Sequence, residues 1–83
     1  MKLTAEITLY PLQDDYLTII RGCITKINTY EGLRVETFPT ATMVHGEYAK
    51  VMAMINELVE WTYNEYGRSV FVVKFIPAHE LED

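Results

Sequence analysis

The order in which hydrophobic periods follow one another most constrains the fold of this chain. Residues 3–9 carry apolar side chains at every odd position, a period of two that is typical of a strand with one buried face. Pro11 ends this strand because proline cannot donate to a sheet ladder. An amphipathic helix follows, with Asp14 or Asp15 as the expected N-cap and Gly32 as the expected C-cap. Its predicted apolar stripe consists of Leu17, Ile20, Cys23 or Ile24, Ile27 and Tyr30.

The middle of the chain predicts a hairpin and then a second helix. Residues 33–38 alternate again, Pro39-Thr40 forms a tight connection, and residues 41–46 are short and rich in β-branched side chains. From Glu47 the period returns to 3.6, and Gly67 is the expected end of this helix. Its predicted core stripe consists of Tyr48, Val51, Met52, Ile55, Leu58, Val59 and Thr62, with Met54 and Trp61 beside it.

A final strand completes the pattern. Residues 69–76 are almost all β-branched or aromatic, which is typical of a strand covered on both sides. Pro77 ends it, and we expect the acidic residues 80–83 to be frayed. With right-handed crossovers, the order βαββαβ predicts an α+β, ferredoxin-like fold in which both helices cover one face of a four-stranded antiparallel sheet. We expect residues 1–83 to form this single domain.

The sheet face without helices is predicted to be unusually apolar. Aliphatic side chains of the last strand are too apolar to leave a wide patch in water, and so small a domain has only a thin core. We therefore expect a second copy of the chain to cover this face, in a homodimer or homotetramer. The predicted open face carries Thr4, Glu6, Thr8 and Tyr10 from the first strand and Val70, Val72, Lys74 and Ile76 from the last.

Composition excludes several classes of partner and location. Seven basic residues against twelve acidic ones give a net charge of −5, which argues against nucleic acid because a phosphate backbone would be repelled. The N-terminal residues alternate and no apolar stretch reaches 18 residues, so we expect neither a signal peptide nor a membrane-spanning helix. The single Cys23 cannot form an internal disulfide, which indicates a cytoplasmic protein.

No recognisable catalytic machinery is present in the sequence. Cys23 lies on the apolar stripe of a helix without a neighbouring base, as expected of a small core residue and not of a nucleophile. The spacing of His45, Glu47 and His79 matches no metal motif. Neither a glycine-rich phosphate loop nor a serine triad is visible. We predict that the protein is not an enzyme and holds no metal or cofactor.

Glu6 leaves two interpretations open. It lies in the middle of a strand that the topology places at the centre of the sheet, and a covered carboxylate there must be paired. It either forms an ion pair, with Lys74 on the neighbouring strand or with Arg34 across an interface, or accepts hydrogen bonds from a cationic or amine-bearing ligand. An aromatic wall for a ligand could come from Trp61, Tyr63 and Tyr66, unless these side chains only widen the core or join a subunit contact.

Two stretches resemble a known family. Residues 4–12, Thr-Ala-Glu-Ile-Thr-Leu-Tyr-Pro-Leu, resemble the first strand of the YkoF-like thiamine/hydroxymethylpyrimidine-binding proteins. Val35-Glu36-Thr37 through Thr42, followed by Gly46-Glu47-Tyr48 and Val51-Met52, resembles the middle segment of the same family. The similarity spans about residues 3 to 60. Where the family tends to have Asn-Thr-Met-Ser, this chain has Phe38-Pro39-Thr40-Ala41, which removes two polar groups.

The resemblance implies a domain that binds a thiamine-type pyrimidine without altering it, as a carrier or sensor, and that assembles with a partner copy. Such a ligand needs a carboxylate, a few hydroxyls and an aromatic wall. Glu6, Thr8, Thr37 and Thr42 are the candidate ligand-binding residues, of which Glu6 and Thr42 fall on family-like positions. The alternative function is a structural or regulatory oligomerisation module without a small ligand.

Overall fold

A computed structural model describes residues 1–79, so the predicted fraying of residues 80–83 lies outside the described residues. The four strands pair in the order β2-β3-β1-β4, and every neighbouring pair is antiparallel. The predicted α+β, ferredoxin-like fold is therefore confirmed. The elements are β1 (Lys2–Pro11), α1 (Tyr16–Ile27), β2 (Arg34–Thr37), β3 (Thr42–Glu47), α2 (Tyr48–Tyr66) and β4 (Ser69–Pro77).

The core lies between the two helices and one face of the sheet. Strand β1 occupies the centre, and its odd-numbered side chains Leu3, Ala5 and Ile7 are buried beneath the helices, as the period of two predicts. Even-numbered side chains of β1 face the opposite side. The buried cluster consists of Leu3, Ala5, Ile7, Ile27, Val44, Val51, Met54 and Leu58.

Helix α1 is shorter than its periodicity predicts, and its buried line is slightly rotated from the predicted stripe: Cys23 and Ile27 are buried as predicted, but Leu17 is not. The helix ends at Ile27 because Asn28 and Thr29 satisfy its last carbonyls: the Asn28 side-chain amide donates to the Ile24 carbonyl, and the Thr29 hydroxyl to that of Lys26. Gly32 therefore does not cap the helix, although it adopts a φ of 79° in the turn before β2. The buried line is Ile19, Cys23 and Ile27, and Leu17 is 51% exposed.

Helix α2 is also rotated relative to the prediction. Its buried residues are Val51, Met54, Leu58 and Thr62, and Met54, which the pattern places beside the core stripe, is fully buried. Tyr48 and Val59, predicted in the core, are exposed. The helix is apolar over a wide face, and packing selects one line of it. The predicted helix end is correct: Gly67 adopts a φ of 87°, and its amide donates to the Tyr63 carbonyl.

The two helices approach closely at Gly22. A Cβ atom built on Gly22 would lie 2.1 Å from the Tyr66 hydroxyl oxygen of α2. The absence of a side chain therefore makes room for Tyr66. One residue further along α1, Cys23 Sγ lies 3.3 Å from the Thr62 hydroxyl, so both buried polar groups of this contact are satisfied.

Strand β4 forms one edge of the sheet. Val70, Val72 and Ile76 project from the helix-free face and are 45–48% exposed, so the expectation that β4 is covered on both sides is wrong for the single chain. Their register with Tyr10, Thr8 and Thr4 places them on the open face as predicted. Within residues 1–79, no helix is long and apolar enough to cross a membrane.

Candidate ligand-binding site

A cavity of about 420 Å³ lies between helix α1 and one end of the sheet. This volume is within the range of about 300–1,000 Å³ that is typical of small-molecule sites. Tyr16 and Phe38 line it and are both about half exposed, so they mark its mouth. The remaining wall is formed by residues 7–11 of β1, by Ile20, Cys23, Ile24 and Ile27 of α1, by residues 39–42, by Leu58 of α2 and by Phe71 of β4.

The cavity exists because β3 is shorter than β1. The ladder between them stops at the pair Ile7–Thr42, so Thr8–Pro11 continue without a β3 partner. Pairing with β3 fills the space beside β1 over most of its length, whereas at this end α1 and the β2–β3 turn form most of the cover. The gap is therefore a consequence of strand length and register.

Backbone groups of β1 face this gap. At the two ends of the β1–β4 ladder, the Leu12 amide donates to the Arg68 carbonyl and the Ala78 amide to the Lys2 carbonyl. Antiparallel partners exchange bonds at every second residue, so the even-numbered residues of β1 bond to β4. The N–H and C=O of Leu9 consequently point to the other side, where β3 has ended. They provide one donor and one acceptor beside the cavity.

The β2–β3 turn forms the opposite wall. The Phe38 amide donates to the Ala41 carbonyl over 2.8 Å, which closes the turn around Pro39 and Thr40. The Thr8 hydroxyl donates to the Thr40 carbonyl over 3.2 Å and ties the turn to β1. The turn therefore holds the half-exposed ring of Phe38 at the cavity mouth.

The cavity wall carries no charged side chain among the described residues. Its polar groups are hydroxyls, backbone groups and the Cys23 thiol. Burial raises the pKa of this thiol and outweighs the opposing effect of its hydrogen bond with Thr62, so the thiol is protonated at neutral pH. The site is thus suited to an uncharged or delocalised aromatic group rather than to a phosphate.

The structure brings together two of the four residues predicted to bind a ligand. Thr8 and Thr42 line the cavity, and Thr42 is only 6% exposed. Thr37 is the β2 partner of Thr42 but is exposed and is not part of the wall. Glu6 projects from the opposite face of β1. Thr42 pairs with Ile7, whose side chain faces the helices, whereas the neighbouring residue Glu6 points to the other face of the sheet. Glu6 and Thr42 therefore lie on different faces.

Glu6 forms an ion pair, which is the first of the two interpretations that the sequence leaves open for this residue. Its Oε1 lies 3.7 Å from Lys74 Nζ on the neighbouring strand, and the side chains are 49% and 75% exposed. Arg34, the other candidate partner, pairs with Glu36 on its own strand at 3.0 Å. In the single chain Glu6 is therefore a surface carboxylate on the open sheet face.

A histidine cluster also lies on the open face. The hydroxyl of the buried Thr4 is 2.7 Å from His45 Nδ1 and 3.0 Å from His79 Nδ1. Glu47, the third residue of that sequence pattern, pairs instead with Lys2 at 3.0 Å, and the hydrogen bond and the charge of Lys2 lower the pKa of Glu47. Within residues 1–79 no three potential metal ligands converge.

The aromatic residues of α2 support the contact between the helices. Trp61 and Tyr66 meet edge to face at a ring distance of 5.8 Å, and Lys26 of α1 lies 5.5 Å from the Trp61 ring centre. Lys26 also pairs with Glu57 at 3.1 Å. None of the three aromatic residues proposed from the sequence as a ligand wall lines the cavity.

Sequence reasoning missed the aromatic residues at the cavity mouth. Tyr16 begins α1, and Phe38 stands beside the proline of a tight turn, a position where polar residues are usual. The aromatic side chain of Phe38 at this turn position is the sequence feature that could have indicated the site. Leu9 could not be found in this way because its contribution is backbone geometry.

Comparisons with known proteins agree with this fold. A family model described as "Thiamine-binding protein" matches residues 5–77, which confirms the family predicted from the sequence. No curated protein matches the chain. A candidate thiamine biosynthesis/salvage protein of Thermotoga maritima has a similar structure, with a TM-score of 0.81 and 27% identity over 90% of this chain and 82% of that chain.

Two further solved structures share the fold at lower identity. A protein of Streptococcus pneumoniae is 22% identical, with a TM-score of 0.86 over 95% of this chain and 89% of that chain. A hypothetical protein of Methanocaldococcus jannascii is 23% identical, with a TM-score of 0.80 over 98% of this chain and 84% of that chain. The family match extends from the middle of β1 to the end of β4 and includes most of the cavity wall. The chain therefore belongs to the thiamine-binding protein family.

Proposed function

We propose that the cavity binds the pyrimidine of thiamine or of hydroxymethylpyrimidine, and that the protein acts as a carrier or sensor. The observation that carries this proposal is an uncharged cavity of about 420 Å³, beside the Leu9 backbone, in a chain of the thiamine-binding family. Pockets of this size enclose most of the surface of a small heteroaromatic molecule.

The chemistry of an aminopyrimidine suits the groups around the cavity. Its amine donates and its ring nitrogens accept, so it can bond to the carbonyl and the amide of Leu9 together. The Thr42 hydroxyl offers a further donor or acceptor from the opposite wall. Tyr16, Phe38 and Phe71 present aromatic surface for the ring and for the delocalised cation of the thiazolium.

The chemical groups that line the cavity also support binding without catalysis. The described wall contains no carboxylate, imidazole or amine that could transfer a proton. Its one nucleophilic atom is the Cys23 sulfur, and burial raises the pKa of that thiol. A ligand in such a site is held and released unchanged, as a carrier or a sensor requires.

Self-association through the open face is part of the proposal. The apolar side chains of Val70, Val72 and Ile76 lie along β4 on that face, where the Lys74–Glu6 pair separates Val72 from Ile76. Covering them with a second copy would remove apolar surface from water in a domain with a thin core. The competing function, an oligomerisation module without a ligand, uses the same face but leaves the cavity without a role.

Calorimetric titration with thiamine and with hydroxymethylpyrimidine tests the proposal. We expect both to bind, and Thr42→Val to weaken binding by about 0.5–1.5 kcal/mol because one hydrogen bond is lost. Thr37→Val is the matched control, since Thr37 stands opposite Thr42 but outside the cavity, and should leave the affinity unchanged. If neither compound binds the folded wild-type protein, the oligomerisation module becomes the better interpretation.

A further inference from the structure

The ladder between β1 and β3 stops one step short of the cavity. At the other end of this ladder the Tyr48 amide donates to the Met1 carbonyl over 2.9 Å, so the odd-numbered residues of β1 are those that bond to β3. Counted in steps of two along the same register, the next pair beyond the last one formed is Leu9–Thr40. Thr40 is therefore the residue of this chain that stands in register with the Leu9 backbone groups beside the cavity.

The Thr40 carbonyl is bonded to a different donor. The Thr8 hydroxyl donates to this carbonyl over 3.2 Å. Successive side chains of a strand project from opposite faces, so the Thr8 side chain starts from the face opposite to that of Leu9. Its hydroxyl draws the turn towards the open face and away from the helix side, where the cavity lies.

A single additional backbone pair would close the site. If Thr40 pairs with Leu9, the amide and the carbonyl that we assign to the ligand are bonded within the chain itself. The ladder can extend no further, because Pro11, which would stand opposite Phe38, has no amide and the Phe38 amide is bonded to Ala41. Closure therefore involves one pair of residues and nothing beyond it.

We propose that Thr8 is a positioning residue, which keeps the ligand site open by holding the Thr40 carbonyl away from Leu9. This inference rests on the proposed function, because it assigns the Leu9 backbone to the ligand. In the empty protein the turn alternates between this open arrangement and a closed one in which Thr40 pairs with Leu9. Ligand and strand extension compete for the same two backbone groups, so the apparent affinity depends on the fraction of the protein that is open.

The substitution Thr8→Val tests this role, because valine has nearly the same shape as threonine but no hydroxyl. Without the hydroxyl, Thr40 pairs with Leu9, and we expect hydrogen exchange of the Thr40 amide in the ligand-free variant to be at least about threefold slower than in the wild type. NMR measures this rate, and the Thr42 amide, already within the ladder, is the internal control. Thr8→Ser retains the hydroxyl and should exchange like the wild type. A Thr40 rate in Thr8→Val equal to that of the wild type overturns the proposal.

Calorimetric titration with thiamine supplies a second readout. The affinity of Thr8→Val should fall by at least about threefold, whereas that of Thr8→Ser should not change. Saturating thiamine should return the Thr40 amide of Thr8→Val to fast hydrogen exchange, because the ligand displaces Thr40 from Leu9. A direct contact between Thr8 and the ligand would instead lower the affinity without slowing Thr40 exchange in the free variant, and that result overturns the proposal.

The two experiments separate this inference from the proposed function. If thiamine does not bind the wild-type protein, the proposed function fails, and the Thr40 exchange rates of the ligand-free variants still decide whether Thr8 holds the turn open. If thiamine binds and the Thr40 rate is the same in all three proteins, the proposed function stands and the positioning role of Thr8 is wrong.

Discussion

At the scale of single residues, the described ion pairs lie at the surface, and none of them involves a residue of the cavity wall. Each described pair has at least one partner that is substantially exposed, so solvent screening makes each pair a weak contributor to stability. The pairs are Lys2–Glu47, Lys26–Glu57, Arg34–Glu36, Lys74–Glu6 and the N-terminal amine of Met1 with Glu47.

Glu6→Gln is expected to change little. Because Glu6 is half exposed and lies on the face opposite the cavity, the free energy of unfolding should fall by less than about 1 kcal/mol and thiamine affinity should stay the same. Urea unfolding and calorimetric titration of the variant measure both quantities. A tenfold loss of affinity would return Glu6 to the ligand site.

Tyr30 should make stability depend on alkaline pH. Burial, followed by the hydrogen bond to Glu57 and the charge of Glu57, raises the pKa of Tyr30 from 10.0 to about 12. The folded state therefore prefers the protonated phenol. The resulting stabilisation is complete below pH 10 and is lost as the pH rises towards 12. Urea unfolding across this range should show the decline, and Tyr30→Phe should reduce it; an unchanged decline in the variant would contradict the assignment.

At the scale of elements, the contact between the helices depends on a single missing side chain. Gly22 sits within α1, where glycine costs about 1 kcal/mol relative to alanine, so its position there is explained by packing and not by helix propensity. The hydroxyl of Tyr66 occupies the space that a methyl group would need. Tyr66 in turn packs against Trp61, which anchors the C-terminal part of α2 on α1.

Gly22→Ala should destabilise the protein although it favours the helix. We expect overpacking against Tyr66 to cost about 2 kcal/mol and the gain in helix propensity to return about 1 kcal/mol. In a Tyr66→Ala background the clash is gone, so the same substitution should stabilise. A double-mutant cycle by thermal or urea unfolding measures the change of sign. The same sign in both backgrounds would exclude the steric explanation.

At the scale of the whole molecule, one small chain presents three distinct surfaces. The cavity opens between α1 and the β2–β3 turn, the open face lies on the opposite side of the sheet, and the β4 edge borders both layers. The cavity and the open face therefore lie on opposite sides of the sheet.

Association through the open face predicts a change in mass on substitution of Val72. Light scattering should give the wild type at least twice the 9.6 kDa mass of the chain, and Val72→Lys should halve the observed mass because a charge on the covered face is desolvated. Thr25→Lys, on the exposed side of α1, is the control. A wild-type mass of 9.6 kDa would contradict association altogether.

The sequence by itself determined the elements and their order, because these depend on local periodicity. The alternation of residues 3–9, the 3.6-residue period after Glu47 and the stops at Pro11 and Gly67 are each properties of neighbouring residues. The composition of β4 likewise predicted an apolar open face, on which Val70, Val72 and Ile76 are exposed, whereas its covering by a second copy stays a prediction. The family resemblance rested on the same local stretches, and the family match confirms it.

Only the tertiary structure decided which face of each helix is buried and which residues share a site. Helix α2 has two apolar lines, and the fit of Met54 against the sheet, not the period, selects between them. The cavity arises because β3 stops opposite Ile7 while β1 continues, a matter of register between strands 35 residues apart in the chain. That register separates Glu6 from Thr42 and turns the backbone of Leu9 towards the gap, which no local pattern of side chains encodes.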